Sequence, residues 1–229
     1  NNKWFATRVG VSVFDGHTWK TLTHDGYYYD PFAEEGGLIS NDVQAIAVDA
    51  QNGKWFGTAR GLSYFHHATW VNFTLSEQVT DQGVYDIAIG AALDWKTKRI
   101  RVNDIAIASD GMVWVATEGG VLRYDGGQWE TYTQVDGLGS NQVSSIAVDL
   151  DGVVWCGTPY GVSVFDGTYW DTITEVERMS LASVVTVAVD PMNGVWVASS
   201  RVDEDGLSLS WLFHFDRREW EIFPMHRNI

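Results

Sequence analysis

The chain has 229 residues, 45% of them apolar and 14% aromatic, enough to bury a sizeable core in one domain. Thirty Asp and Glu against fifteen Lys and Arg give a net charge of −15, which excludes nucleic acid and anionic membrane surfaces as partners. No stretch approaches the roughly 18 to 20 apolar residues of a membrane-spanning helix, and the single cysteine, Cys156, excludes an intrachain disulfide.

The first predicted element holds Trp4 in the run WFAT, followed by the strand GVSVFD from Gly10 to Asp15 and by Trp19. The long connection from His24 to Asp42 contains Tyr27, Tyr28, Tyr29 and Asp30. A full set of four short strands comes next: VQAIAVD from Val43, WFGT from Trp55, GLSYF from Gly61, and a strand opening on Trp70. The stretch Leu75 to Arg101, with Trp95, carries VYDIAIG from Val84, a near copy of VNDIAIA from Val102. The spacing to Trp114 makes the later copy the inner strand of the third set and leaves the earlier one as an extra strand or hairpin. A less favoured reading has the earlier copy fill the vacant inner position of the first set.

The third set continues through WVAT at Trp114, GVLRYD from Gly120 and Trp129; the fourth through VSSIAVD, WCGT at Trp155, GVSVFD and Trp170; the fifth through VVTVAVD, WVAS at Trp196 and Trp220, with an insertion, Arg201 to Leu209, between its second and third strands. Trp114, Trp155 and Trp196 recur at 41 residues, and Trp19, Trp70, Trp129 and Trp170 each follow their partner at fifteen. Self-similarity at such a period, with short strands, glycine turns and aromatic landmarks, predicts an all-β propeller of five four-stranded blades. The blades cover about 1–23, 43–74, 102–133, 143–174 and 184–223, all in one domain. Ala47, Ala106, Ala147 and Ala188 suit a crowded inner strand. The first blade lacks its inner strand, which a longer parent protein or a second chain is expected to supply; in the alternative the ring closes imperfectly, with Pro224 to Ile229 covering the gap.

The fourth copy, VSSIAVDLDGVVWCGTPYGVSVFDGTYWDTIT from Val143 to Thr174, with its lead-in DGLGSN from Asp136, resembles the two-component-regulator propeller repeat. That resemblance implies a sensor domain, usually extracytoplasmic (periplasmic or secreted), that recognises ligands such as oligosaccharides; no cofactor is expected from the sequence. Blade two departs from it by placing His66 where other copies have the turn aspartate.

Binding is expected where the repeats differ, because loops on a rigid scaffold carry function. Tyr27, Tyr28, Tyr29 and Asp30 combine aromatic faces with a carboxylate, the pairing that stacks on sugar rings and accepts hydroxyl hydrogen bonds; the competing reading is that they pin a long loop. Trp95 and Trp211 stand outside both tryptophan series and either stack on a ligand or anchor their insertions. Arg8, Arg60, Glu118 and Tyr160 vary at the short turns, either as ligand contacts or as ordinary solvated residues. The recurrent Asp-containing turns, such as Asp149 to Gly152, read as turn chemistry rather than calcium loops. His66 and His67, adjacent on a strand, are expected to point to opposite faces, against joint metal binding.

No metal and no local catalytic motif is read from the sequence. The leading function is a non-enzymatic module that recognises a small-molecule or glycan ligand, or another protein. The alternative is a propeller-type carbohydrate-active hydrolase or lyase whose acids come from separate blades.

Overall fold

In the computed structural model the described residues are 2–24, 26–27, 37–79, 85–89, 98–202 and 208–225. Regular structure among them is β apart from one 3-10 turn, Gln134–Asp136. No helix among them is long and apolar enough to cross a membrane. The chain divides into two compact units, Asn1–Ile107 with Thr117–Gly119, and Ala108–Ala116 with Gly120–Ile229.

The first unit opens with β1 (Lys3–Thr7), β2 (Gly10–Phe14), β3 (Trp19–Thr23) and β4 (Gly26–Tyr27), which form one antiparallel sheet in chain order. β1 is the tryptophan strand of the repeat and stands at the sheet edge, so among the described residues this blade has no inner strand. β4 pairs Tyr27 with Leu22, and Tyr27 therefore lies on a short strand rather than in a loop. The second sheet holds β5 (Val43–Val48), β6 (Lys54–Thr58), β7 (Gly61–His66), β8 (Thr69–Val79) and β9 (Tyr85–Ile89). β10 (Val102–Ile107) completes the unit.

β9 is the early copy of the inner-strand sequence. It pairs antiparallel with β8, Leu75 opposite Ile89 and Val79 opposite Tyr85. It is thus a fifth, outer strand of blade two and does not fill the vacant inner position of blade one. Eleven residues of β8 make this possible: the strand outruns β7, whose pairing ends at Thr74, and the bare length offers unpaired N–H and C=O groups to the next segment.

In the second unit β11 (Val113–Thr117), β12 (Val121–Tyr124) and β13 (Trp129–Tyr132) follow one another, then β14 (Ser145–Val148), β15 (Val154–Thr158), β16 (Gly161–Phe165) and β17 (Trp170–Ile173) form a complete blade. A small hairpin, β18 (Glu175–Val176) and β19 (Met179–Ser180), leads to the last sheet: β20 (Val184–Val189), β21 (Val195–Val202), β22 (Ser208–Phe215) and β23 (Trp220–Met225). The insertion of this blade lengthens an existing hairpin, because β21 and β22 stay paired out to Val202 opposite Ser208.

Side chains alternate between the two faces of each strand, and both faces of most sheets are covered. In the first unit Val11, Val13 and Leu22 pack against Leu38, Val43 and Phe56, with Trp4, Phe65 and Trp70 around them. In the second unit Trp155 and Val162 pack with Val184, Val187, Val195, Val197 and Phe213. Cys156 is buried, in agreement with its apolar run. The inner-strand alanines do not crowd: Ala47, Ala106 and Ala147 are half-buried and Ala188 is exposed, while Val43, Val102, Val184 and Val187 carry the burial.

The tryptophan series are the structural positions of the repeat, with graded burial. Trp55, Trp114 and Trp155 are 4 to 5% exposed and Trp170 is 7%; Trp4, Trp70, Trp129, Trp196 and Trp220 are half-buried; Trp19 is 61% exposed.

Candidate functional site

The first four blades turn from their second to their third strand through Thr-x-x-Gly, and the threonine builds the turn. The Thr58 hydroxyl donates to Gly61 O at 2.9 Å and accepts the Arg60 N–H at 3.1 Å. Thr158 does the same with Gly161 O and the Tyr160 N–H, at 2.9 and 3.2 Å. A short turn locked in this way holds its penultimate residue outward: Arg60 is exposed and Tyr160 is 63% exposed. Arg8 and Glu118 are also exposed but occupy the preceding turn position, so the four varying residues are two staggered sets rather than one.

These turns lie at the same end of the blades as the segments that lead into the inner strands, and hydrogen bonds tie the two together. Ala59 N–H donates to Asp42 O at 3.0 Å and Glu118 N–H to Arg101 O at 3.1 Å in the first unit; Ser183 N–H donates to Pro159 O at 2.7 Å in the second. In the first unit this end carries an ion pair, Arg101 Nη2 to Asp42 Oδ2 at 3.2 Å, with each side chain about one third exposed. A partly desolvated guanidinium and carboxylate are suited to the hydroxyls and acids of a polar ligand. Asp42 and Arg101 were not singled out above. Their signal is the residue just before the inner-strand valine, which reads Asp42, Arg101, Gln142 and Ser183 and is charged twice, with opposite sign.

The lead-in loops are anchored on buried serines of the blade they enter. Ile39 N–H donates to Ser63 Oγ at 2.8 Å, and Gly139 N–H to Ser163 Oγ at 3.0 Å. The DGLGSN segment is also capped internally: the Asp136 carboxylate accepts the Thr133 N–H at 2.8 Å and Asn141 Oδ1 accepts the Gln134 N–H at 2.7 Å. This end of the blades is therefore tied down by hydrogen bonds where the repeat is regular.

At the opposite end, the recurrent acids are engaged in their own turns. Asp149 Oδ1 accepts the N–H groups of Asp151 and Val153, both at 2.9 Å, and Oδ2 accepts the indole N–H of Trp155 at 2.9 Å. Asp49 and Asp190 make the same bond to Trp55 and Trp196. These bonds are turn chemistry, each carboxylate being engaged by its own backbone and indole donors. Asp15 accepts two backbone N–H groups, from His17 and Thr18, and the Thr18 hydroxyl. Those donors, Thr18 N–H foremost, lower its carboxyl from 3.8 to about 2. Its folded-state pKa being depressed, the stabilisation is present above pH 4 and fades as pH falls toward 2. A carboxyl-carbon NMR titration should place the Asp15 midpoint at about 2; an ordinary value would show that the turn bonds are absent in solution.

The histidine pair departs from expectation. His67 and Ala68 have φ of 47° and 63°, so His67 sits in a left-handed two-residue turn instead of continuing the strand. Its ring stacks on His66 at 3.9 Å. Both rings are on one side, and His66 Nε2 lies 3.1 Å from Gln51 O. No group of three or more His, Cys, Asp or Glu among the described residues is arranged to hold a metal.

Of the other candidates, Trp211 lies in β22 opposite Ser199, half-buried against the core of the last blade. Tyr28, Tyr29, Asp30 and Trp95 lie outside the described residues, as does the side chain of Tyr27.

No protein-family model and no curated protein matches the chain. Solved structures do. A domain described as the extracellular part of a hybrid two-component system, BT4673 of B. thetaiotaomicron, superposes with a TM-score of 0.62 at 15% identity over 99% of this chain and 34% of its own. The corresponding domain of BT3049 from the same organism gives 0.55 at 19% identity over 96% and 26%. YCF48 bound to D1 peptide gives 0.50 at 14% identity over 79% and 54%. The chain thus spans about a quarter to a half of the length of these structures. The fold is a β-propeller whose blades are four-stranded sheets, the second extended by a fifth strand and the first, among the described residues, without its inner strand.

Proposed function

We propose that the chain is a non-enzymatic recognition propeller, the sensing part of a signalling protein, and that it takes a carbohydrate-like ligand at the blade end that carries the inter-blade connections. The observation that carries this reading is the contrast between the two ends of the blades. At one end the acids are bound into their own turns. At the other, turns of one fixed geometry present different side chains, Arg60 and Tyr160, with the Asp42–Arg101 ion pair beside the first. Within each unit, a fixed turn that displays a residue free to vary is the arrangement of a binding surface. The likeness to extracellular domains of hybrid two-component systems supports a sensing role and an extracytoplasmic setting.

An array of immobilised oligosaccharides, probed with the chain and with Tyr28→Ala, Arg60→Ala, Trp95→Ala and Tyr160→Ala, tests the reading. At least one saccharide class is expected to be retained by the parent chain and weakened on the order of tenfold by removal of a stacking or charged contact. Binding that is equal in all five proteins, or absent from the parent, would reject it.

A further inference from the structure

The tryptophan of a second strand is met by a carboxylate from the turn before it. Asp49, Asp149 and Asp190 hold one place, six residues ahead of Trp55, Trp155 and Trp196, and their Oδ2 atoms accept the indole N–H at 3.3, 2.9 and 3.0 Å. A further side chain bonds the same Oδ2 in each case. In the second and fifth blades it is the third-strand residue opposite the tryptophan, Tyr64 at 3.1 Å and His214 at 3.3 Å. In the fourth it is Arg217 Nη1 at 2.7 Å.

The third blade keeps this arrangement but not its carboxylate. Ala108 stands where the other copies have aspartate, ahead of Trp114, in a turn closed by the same two backbone bonds. Ala108 N–H donates to Met112 O at 2.9 Å and Gly111 N–H to Ala108 O at 3.0 Å, against 3.0 and 3.1 Å for the matching bonds around Asp149. The donors remain. Arg123 lies opposite Trp114 as Tyr64 lies opposite Trp55, with its guanidinium 5.7 Å over the Trp114 ring. Glu130 Oε2 holds Nη1 at 3.0 Å, while Nε is buried with no acceptor among the described residues. The other buried side-chain atom in that state, Trp170 Nε1, belongs to the same junction: Trp170 packs on Trp114 at 6.5 Å and on Tyr132 at 5.7 Å. All of these groups lie in the second unit.

We propose that the third blade binds a small carboxylate ion at the place of the missing aspartate, held by the Trp114 indole N–H and the Arg123 guanidinium. The ligand class follows from the repeat: in the second, fourth and fifth blades the group that meets the indole and a further side-chain donor is a carboxylate. A guanidinium carries five donors, and the one that Glu130 engages leaves others for a charge-assisted bond to an anion. The counterpart of the turn N–H that Asp149 accepts from Val153 is Met112 N–H, which goes to Asp110 Oδ1 at 2.9 Å, so the two side chains are the donors left to the ligand. Ala108 is half-buried and the Arg123 side chain 30% exposed, which opens the place to solvent. It lies at the end of the blades opposite Arg60 and Tyr160 and is independent of the saccharide reading.

Nitrogen–proton NMR of the isotope-labelled chain, titrated with sodium formate at an ionic strength held constant with sodium sulfate, provides the test. The Trp114 indole proton is expected to move downfield to a plateau, while those of Trp55, Trp155 and Trp196, already bonded to their aspartates, stay in place. A108D supplies the carboxylate from the chain itself: its Trp114 signal should start near that plateau and no longer respond. R123Q removes the charged donor and should raise the half-saturating formate concentration on the order of tenfold. Formate should also raise the melting temperature of the parent chain and not that of A108D, because only the folded blade binds it. Near-ultraviolet dichroism checks that each variant is folded, and A108D keeps the test decisive if R123Q is not. A Trp114 signal that stays still in the parent chain, or moves as far with sulfate alone, overturns the proposal. So does an A108D variant that responds like the parent, or a folded R123Q variant of unchanged affinity.

Discussion

Trp155→Ala is expected to destabilise the chain by about 3 to 5 kcal/mol, the range of large aromatic truncations in packed cores. Trp155 is 5% exposed, packs on Phe215 of the next blade and donates its indole N–H to Asp149 Oδ2 at 2.9 Å. Truncation therefore opens a cavity and also takes one donor from a carboxylate whose side chain is fully buried. Asp149 keeps two backbone donors and Arg217 Nη1 at 2.7 Å, which limits the second cost. Trp155→Phe separates the two contributions: it retains most of the packing and should cost about 1 to 3 kcal/mol through the lost hydrogen bond and reduced fit. Denaturant unfolding measures both. A cost below about 1 kcal/mol for the alanine variant would show that Trp155 does not hold blades four and five together.

Gly161→Ala is expected to have the second large effect, again by denaturant unfolding. Gly161 has φ of +143°, and a Cβ there would stand 2.2 Å from Ile173 O on the neighbouring strand. The backbone conformation alone costs a side chain roughly 1 to 3 kcal/mol, and relief of the collision must displace β17 from β16. Gly167→Ala is the control. Its φ is +99° but nothing lies within 4 Å of the added carbon, so it bears the conformational cost only. The difference between the variants reads the close approach of the strands. Equal effects would mean that the approach is looser than described. Gly10, Gly61 and Gly120 meet Leu22 O, Phe73 O and Tyr132 O at 2.2 to 2.3 Å, so the same test applies in each of those blades.

Much of the candidate site was legible for the same reason as the turns. Thr58 and Gly61, or Thr158 and Gly161, build their turn from residues three apart, and the residue between them is displayed whatever surrounds the blade. Arg60 and Tyr160 could be picked out on that ground. The Asp42–Arg101 pair could not, because 59 residues separate its members and only the packing of one lead-in segment beside the next brings them within 3.2 Å. His66 and His67 failed for a local reason: strand alternation was assumed for a residue that the backbone places in a left-handed turn.

The repeated copies and their main strands were legible in the sequence alone, since period-two patterning, the Thr-x-x-Gly turns of the first four copies and the Asp-capped turns act over a few residues. Where a strand goes, and what a side chain touches, were decided only by the tertiary structure. VYDIAIG and VNDIAIA are nearly the same string, yet one became the outer strand β9 and the other the inner strand β10, because an overlong β8 left an open edge beside the first. Trp19 and Trp170 hold equivalent places in their repeats, yet one is 61% exposed and the other 7%. A strand is set by its own alternation, while pairing and burial depend on the surface that a neighbour brings against it.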